Sequence, residues 1–148
     1  MRHLRAFTEN VSFQSNEDVI RAMFKWWNES FEHDTFSIEG FARFFGSKAK
    51  FIVDGNIRGE GPAALLTFFN SQRVLIETAV LKLPLLTIFS SGKHVSLDYD
   101  MCVGPRGAAK IVNAKGYAQV EGQQIVHYAV NTCPYDLLDH RANLGDRT

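Results

Sequence analysis

The pattern of hydrophobic and polar positions predicts helices in the first half of the chain. Across residues 17–31, apolar side chains recur at intervals of three and four, which places them on one helical face: Ile20, Met23, Phe24, Trp27 and Phe31. Ser15 and Asp18 resemble the capping pair that opens a helix. The same spacing predicts a second helix over residues 37–45, with Gly46 in the position of a C-terminal cap.

A strand and a third helix are predicted next. Residues 49–54 are rich in strand-forming side chains and end at Asp54, after which Gly55 and Asn56 supply turn chemistry. Pro62 suits the first position of a helix, and the apolar stripe of that helix consists of Leu65, Leu66, Phe68 and Phe69.

The second half of the chain contains four strand-like runs separated by short turn segments, over residues 78–89, 94–103, 109–120 and 124–131. In the second run, apolar and polar residues alternate, which predicts one apolar and one polar face. Helices gathered on one side of a curved, mostly antiparallel sheet make the expected fold class α+β, with the three helices closing a cone.

Composition and charge limit the possible functions. The 148 residues, 45% of them hydrophobic, predict a single domain over residues 1–148, with loosely held ends at 1–14 and 139–148. Sixteen basic and sixteen acidic residues cancel without forming a basic run, so neither nucleic acid nor an anionic membrane is an expected partner. The absence of a signal-like segment and the two isolated cysteines favour a cytoplasmic protein.

Asp54 has two readings that the residues alone leave open. The carboxylate either pairs with amides of the following turn, or it projects into an apolar cavity, where loss of solvation makes it a better proton acceptor. A role in binding phosphate is excluded, because the glycines that follow Asp54 lack the G-K-[ST] ending of a phosphate loop.

Metal and cofactor chemistry is not predicted. His94, Asp98 and Asp100 share one strand face, but same-face neighbours lie about 7 Å apart, so a solvated face is favoured over a cation site. No nucleophile motif accompanies the cysteines or serines. We therefore expect neither a metal nor a cofactor.

The order of elements and three stretches resemble the nuclear transport factor 2-like (NTF2-like) superfamily, especially its SnoaL-like and ketosteroid-isomerase-like branch, over about residues 16–138. The stretches are "AKFIVDGNIRGEGPAALLTFF", "AKIVNAKGYAQVEGQQI" and "IVHYAVNTCPYDLL". The resemblance implies a helix-covered curved sheet that can enclose an apolar cavity. It also implies a homodimer formed through the outer face of the sheet.

The resemblance implies roles for three polar residues. Asp54 matches the position of the catalytic base, and Asn113 stands where isomerase-like members carry an acid that donates to a developing oxyanion. His127 lies in a stretch that resembles the end of SnoaL-like sequences and suits acid–base work if it shares a cavity with Asp54. Asn113 bonded to nearby backbone and His127 as an ordinary strand residue are the structural alternatives. The helix-one tyrosine of those enzymes has no counterpart here.

The expected activity is cofactor-free acid–base chemistry on a small hydrophobic carbonyl or cyclic substrate, by an isomerase, dehydratase or other lyase, polyketide cyclase or epoxide hydrolase. In a cone-shaped fold, the substrate-binding wall is expected to include Trp27, Phe41, Phe45, Phe69, Val112 and Tyr128. The alternative is a non-catalytic module that binds a small molecule or dimerises.

Overall fold

The computed structural model describes residues 13–135, which form three helices and seven strands. The helices are α1 (Asn16–His33), α2 (Ile38–Phe44) and α3 (Pro62–Ile76). The strands are β1 (Phe45–Val53), β2 (Asn56–Glu60), β3 (Thr78–Leu81), β4 (Thr87–Ser91), β5 (His94–Gly104), β6 (Lys110–Glu121) and β7 (Gln124–Pro134).

The helix starts agree with the sequence, whereas one predicted helix end is wrong. The Ser15 hydroxyl accepts a hydrogen bond from the Asp18 amide at 3.2 Å and so caps α1. Pro62 occupies the start of α3 as predicted. Gly46 does not cap α2, because Phe45 is already extended and the chain passes directly from α2 into β1.

Two predictions in the strand regions are corrected. The segment after Asp54 is not only a turn, since β2 folds back and pairs antiparallel with β1. The single run predicted over residues 78–89 is two strands, β3 and β4, separated by a segment that contains Pro84. Proline has no N–H to donate to a sheet ladder, which explains the break. The other three long strands are confirmed, each ending one to three residues later than predicted.

The seven strands form one mixed, strongly curled sheet in the order β2-β1-β7-β6-β5-β3, with β4 paired to the other half of β5. All pairs are antiparallel except β1 and β7, which are parallel. The α+β class is therefore confirmed. The expected cone of three N-terminal helices is not, because α3 follows the β1–β2 hairpin and is itself followed by strands.

The helices pack against the concave face of the sheet around an aromatic core. Its largest fully buried side chains come from every layer and include Phe24, Phe41, Phe45, Leu65 and Tyr128. Of the ends expected to be loosely held, only residues 13 and 14 lie within the described part, where the Phe13 ring lies 6.1 Å from that of Phe44. Between residues 13 and 135, every helix is too short or too polar to cross a bilayer.

Candidate functional site

An apolar cavity of about 240 Å³ lies between α1, α3 and the concave face of the sheet. The helical wall carries aromatic and aliphatic side chains, among them Phe24, Trp27 and Phe69. The sheet wall comes from the adjoining ends of β1, β5, β6 and β7, together with β3. Among the described residues, the lining includes no charged side chain, and its polar members are Gln72, Tyr99, Tyr128 and Thr132.

Strand alternation explains which residues face the cavity. On β5 the residues Tyr99, Met101 and Val103 share the inner face, and on β7 the inner face carries Tyr128, Val130 and Thr132. The inner face of β6 carries small residues in the middle of the strand, Ala114, Gly116 and Ala118. A Cβ atom at Gly116 would lie 3.3 Å from Leu97 Cδ1 and 3.4 Å from the Tyr128 hydroxyl oxygen, so this hydroxyl packs directly over Gly116.

All six side chains that the sequence predicts for the cavity wall do line the cavity: Trp27, Phe41, Phe45, Phe69, Val112 and Tyr128. Several are locked by ring packing, such as Trp27 against Phe31 with ring centroids 5.1 Å apart. The Tyr128 ring stacks on Phe51 at 5.2 Å and an interplanar angle of 6°. Their part in binding a substrate stays a prediction.

The wall also contains a pair of tyrosines, of which the sequence analysis selected only Tyr128. The hydroxyl oxygens of Tyr99 and Tyr128 lie 2.7 Å apart, although the two residues are 29 positions apart in the chain. Burial raises the pKa of both hydroxyls well above the ordinary value for tyrosine, and the proximity of Tyr99 raises the pKa of Tyr128 further. Both therefore remain protonated near neutral pH. The alternation in β5 was the available signal for Tyr99, since it placed this residue on the apolar face.

Asp54 closes the end of the β1–β7 pair and does not line the cavity. It occupies the turn after β1 with φ of 50° and is exposed. Its Oδ1 accepts from the Thr132 amide at 2.7 Å, and its Oδ2 accepts from the Thr132 hydroxyl at 2.9 Å. The Asp54 amide donates a hydrogen bond to the Val130 carbonyl at 2.9 Å. The carboxylate thus continues the row of hydrogen bonds between β1 and β7 by one further pair. Thr132, in contrast, belongs to the cavity wall.

Asn113 is buried on the opposite, outer face of the sheet, because the inward position next to it on β6 is taken by Val112. Its amide nitrogen donates to Asp98 Oδ1 at 2.8 Å, to Asp100 Oδ1 at 3.2 Å and to the Tyr99 carbonyl at 3.3 Å. Burial alone raises the pKa of the Asp98 carboxyl, but hydrogen bonds from Asn113 and Lys115 and the charge of Lys115 outweigh it. The net result is a lowered pKa.

His127 also faces outward, since its neighbour Tyr128 faces the cavity. Its ring meets that of Tyr117 edge-on at 5.9 Å, and the Tyr117 hydroxyl is hydrogen-bonded to His94 Nδ1. Asp54, Asn113 and His127 therefore do not converge on one cavity-bound molecule, which corrects the arrangement that the resemblance implied. Individual catalytic roles for them stay predictions.

Comparison with known proteins bears on the fold. No family model and no curated protein matches the chain. A SnoaL-like polyketide cyclase from Agrobacterium tumefaciens superposes with a TM-score of 0.65 at 10% identity, covering 86% of this chain and 98% of that one. An NTF2-like protein of unknown function from Burkholderia pseudomallei gives 0.66 at 12% identity, covering 86% and 97%. This chain has the NTF2-like fold.

A third solved structure extends the likeness within the NTF2-like fold. It is a protein with a ketosteroid isomerase-like fold from Catenulispora acidiphila, in complex with trimethylamine, with a TM-score of 0.60 at 12% identity over 73% of this chain and 82% of that one. The fold that the resemblance implied is thus confirmed. Because many activities share one scaffold, the chemistry of this NTF2-like chain has to be argued from its own cavity.

Proposed function

We propose that this protein binds a small, uncharged, largely apolar molecule in the cavity between α1, α3 and the concave face of the sheet. The observation that carries the proposal is the cavity itself, which is unfilled by side chains and lined by apolar and aromatic groups with a few polar atoms. Such a lining is typical of small-molecule sites. The rings of Trp27, Phe69 and Phe51 suit a ligand that contains one or more rings.

The wall favours an uncharged ligand. Transferring an ion from water into an apolar site is costly unless an opposite charge or several hydrogen bonds compensate. Among the described residues that line the cavity, none carries a charge at neutral pH. A neutral molecule avoids this desolvation penalty, so it is expected to bind better than an anion or cation of the same shape.

Filling the cavity provides a direct test of the binding proposal. Ala79 is buried in the wall, whereas the next residue, Val80, is 46% exposed. Ala79→Phe is expected to weaken binding of aromatic ketones and hydrocarbons at least tenfold by occupying their space, whereas Val80→Phe should leave it unchanged. Binding is followed by quenching of Trp27 in a Trp26→Phe background. Equal affinities for the two variants would contradict the proposal.

An acid–base enzyme of the isomerase, lyase or polyketide-cyclase type is the second candidate. The observation that favours it is the contact of Asp54 with Thr132, because it brings an acid into hydrogen-bond contact with the side chain of a cavity-lining residue. A solved neighbour is a SnoaL-like polyketide cyclase, which agrees with this candidate at the level of fold only. Because Asp54 does not line the cavity, the proton would reach it through Thr132, whose hydroxyl would accept a proton from the ligand while passing its own to the Asp54 carboxylate.

Asp54→Asn tests the catalytic candidate, with Asp34→Asn as its control, because Asp34 is also exposed at a left-handed backbone position, with φ of 56°. If Asp54 is the base, turnover should fall by about 10²-fold or more with ligand affinity retained. Unchanged turnover in Asp54→Asn would remove Asp54 from the mechanism. Asn113→Ala and His127→Ala, measured in the same assay, test the roles that the resemblance implies for them.

We also propose that the protein is cytoplasmic and homodimeric through the outer sheet face. Both cysteines, Cys102 and Cys133, are free thiols, which agrees with a reducing compartment. The outer face combines charged groups with exposed apolar side chains, including Ile111 and Phe89.

A further inference from the structure

The Tyr99–Tyr128 pair contains one more hydrogen-bond donor than the described protein uses. Each hydroxyl carries one proton, and the 2.7 Å bond between the two oxygens uses one of them. Among residues 13–135, these hydroxyls hydrogen-bond only to each other. Tyr99 is 3% exposed and Tyr128 is 2% exposed, so the second proton is also shielded from bulk water. A buried donor without an acceptor costs about 1–3 kcal/mol.

The pair belongs to the cavity wall and is held rigidly. The Tyr99 ring meets Phe24 edge-on with centroids 4.8 Å apart, and the Tyr128 ring lies flat against Phe51. Rigid rings hold their hydroxyls in place, so little conformational entropy is lost when a ligand accepts the spare proton. These features describe a prepared donor within an otherwise apolar wall.

We infer that the bound molecule presents a neutral carbonyl oxygen to the Tyr99–Tyr128 pair, which makes the two tyrosines the groups that orient the ligand. This inference rests on the proposed function and specifies its ligand class as aromatic or polycyclic ketones and related carbonyl compounds. One tyrosine donates to the other, and the second donates to the ligand oxygen. In that arrangement both protons are used.

The electrostatics of the wall discriminate between oxygen acceptors. A carboxylate would gain one donated hydrogen bond but would lose its solvation beside a wall without cations among the described residues. A ketone gains the same bond at a much smaller desolvation cost. A hydrocarbon of equal shape loses nothing on entry but leaves the spare proton without a partner. The expected order of affinity is therefore ketone, then hydrocarbon, then carboxylate.

Three matched ligand sets test this order. Each set contains a methyl ketone, an isopropyl hydrocarbon and a carboxylate on the same ring system. The first set is acetophenone, isopropylbenzene and benzoate; the second and third carry the same three groups at position 2 of naphthalene and of phenanthrene. For the set that fits best, the ketone is expected to bind about 2–12-fold more tightly than the hydrocarbon, as one net hydrogen bond predicts. The infrared carbonyl stretch of the bound, ¹³C-labelled ketone should lie below its frequency in cyclohexane.

Replacement of both hydroxyls tests which groups donate. In Tyr99→Phe/Tyr128→Phe the ketone preference and the infrared shift should disappear, while hydrocarbon binding is retained. Tyr117→Phe, which removes a hydroxyl from the outer face, is the matched control and should keep both signals. If the double variant does not fold, Gln72→Leu/Thr132→Val, which removes the other polar lining groups, should keep the infrared shift; loss of the shift in that variant would overturn the inference.

The results of these experiments distinguish a failure of the tyrosine-pair inference from a failure of the proposed binding function. Failure of the unaltered protein to bind any ketone or hydrocarbon of the three sets would overturn the proposed function, and this inference with it. Equal binding of ketone and hydrocarbon with an unshifted carbonyl stretch would overturn the inference alone. An infrared shift that persists in the folded double variant would also overturn it, since another group would then be the donor.

Discussion

At the scale of single residues, Asp54 shows how a side chain can act as part of the sheet backbone. Its carboxylate accepts a hydrogen bond from the Thr132 amide. In a longer β1 strand, a backbone carbonyl would accept that hydrogen bond. It also holds the Thr132 hydroxyl, so the same contact stabilises a strand end and positions a cavity-lining group. The two readings of Asp54 are therefore separable by comparing stability with turnover.

Asp54→Ala is expected to lower the free energy of unfolding by about 1–3 kcal/mol, because the amide and the hydroxyl of Thr132 lose a charged acceptor. Alanine also tolerates the left-handed backbone at this position poorly. Asp54→Asn keeps an acceptor oxygen and should cost clearly less. Urea unfolding monitored by circular dichroism gives both values, and equal losses for Ala and Asn would contradict the role of the acceptor.

The contribution of Asn113 to the free energy of unfolding is expected to decrease at acid pH. The pKa of the Asp98 carboxyl is lowered below its ordinary value of 3.8 in the folded protein, so its interactions stabilise the fold above that value. This stability is lost as the pH falls through the lowered folded pKa. Asn113→Ala removes one of the stabilising donors. The difference in unfolding free energy from the unaltered protein should be greatest near pH 6 and should shrink below about pH 4.

Unfolding in urea at a series of pH values measures this difference. Asn131→Ala is the control, since Asn131 is exposed on the outer face of β7. A difference for Asn113→Ala that stays constant down to pH 2 would show that the amide acts independently of the carboxyl.

At the scale of elements, the short helix α2 depends on a close approach to α1. Gly40 lies over the indole ring of Trp26, where a Cβ atom would come closer to Cζ2 than any ordinary contact. The indole cannot easily move, because it is packed against three phenylalanine rings, those of Phe36, Phe41 and Phe44. Helix α2 therefore requires glycine at this position for packing and not for backbone freedom.

Gly40→Ala is expected to destabilise the protein by about 1–3 kcal/mol through overpacking, despite the better helix propensity of alanine. Gly46→Ala is the matched control, since a Cβ there would meet Val126 at an ordinary 3.6 Å. Thermal unfolding of both variants gives the comparison. In Trp26→Leu the penalty for Gly40→Ala should largely vanish, and its persistence would place the strain elsewhere.

At the scale of the whole molecule, the curled sheet separates two chemically different faces. The concave face and the helices enclose the cavity, whereas the outer face carries the Asp98–Asn113–Lys115 cluster and exposed apolar side chains. The cavity and any assembly surface on the outer face therefore use different residues of the same strands. Changes to one face are expected to leave the other largely intact.

Dimerisation through the outer face stays a prediction, and Ile111→Lys tests it. Ile111 is 44% exposed on β6, so a lysine there should be tolerated by the monomer but should place a charge in the interface. Analytical ultracentrifugation is expected to show a dimer for the unaltered protein and a monomer for Ile111→Lys. Leu75→Lys on α3, at a residue that is 75% exposed, should remain dimeric. A monomeric unaltered protein would refute the prediction.

The sequence by itself determined the three helices, the long strands and the residues of each strand that share a face, but neither β2 nor the break between β3 and β4. The 3.6-residue spacing located α1, Pro62 marked the start of α3, and alternation placed Tyr99 and Met101 on one face of β5. The aromatic wall around Trp27 and Tyr128 was also predictable. The helices and the strand faces depend on neighbours within a few positions, which determine local geometry directly, whereas the aromatic wall followed from the fold that the resemblance implied.

Only the tertiary structure decided which residues meet across long distances in the chain. The parallel pairing of β1 with β7 brings Thr132 to Asp54, and the packing of β5 near β7 brings Tyr99 to Tyr128. It also decided that Asn113 and His127 face away from the cavity, since alternation shows which residues share a face but not which face encloses the cavity. Strand pairing and the space left unfilled between layers depend on the whole chain, so no local pattern encodes them.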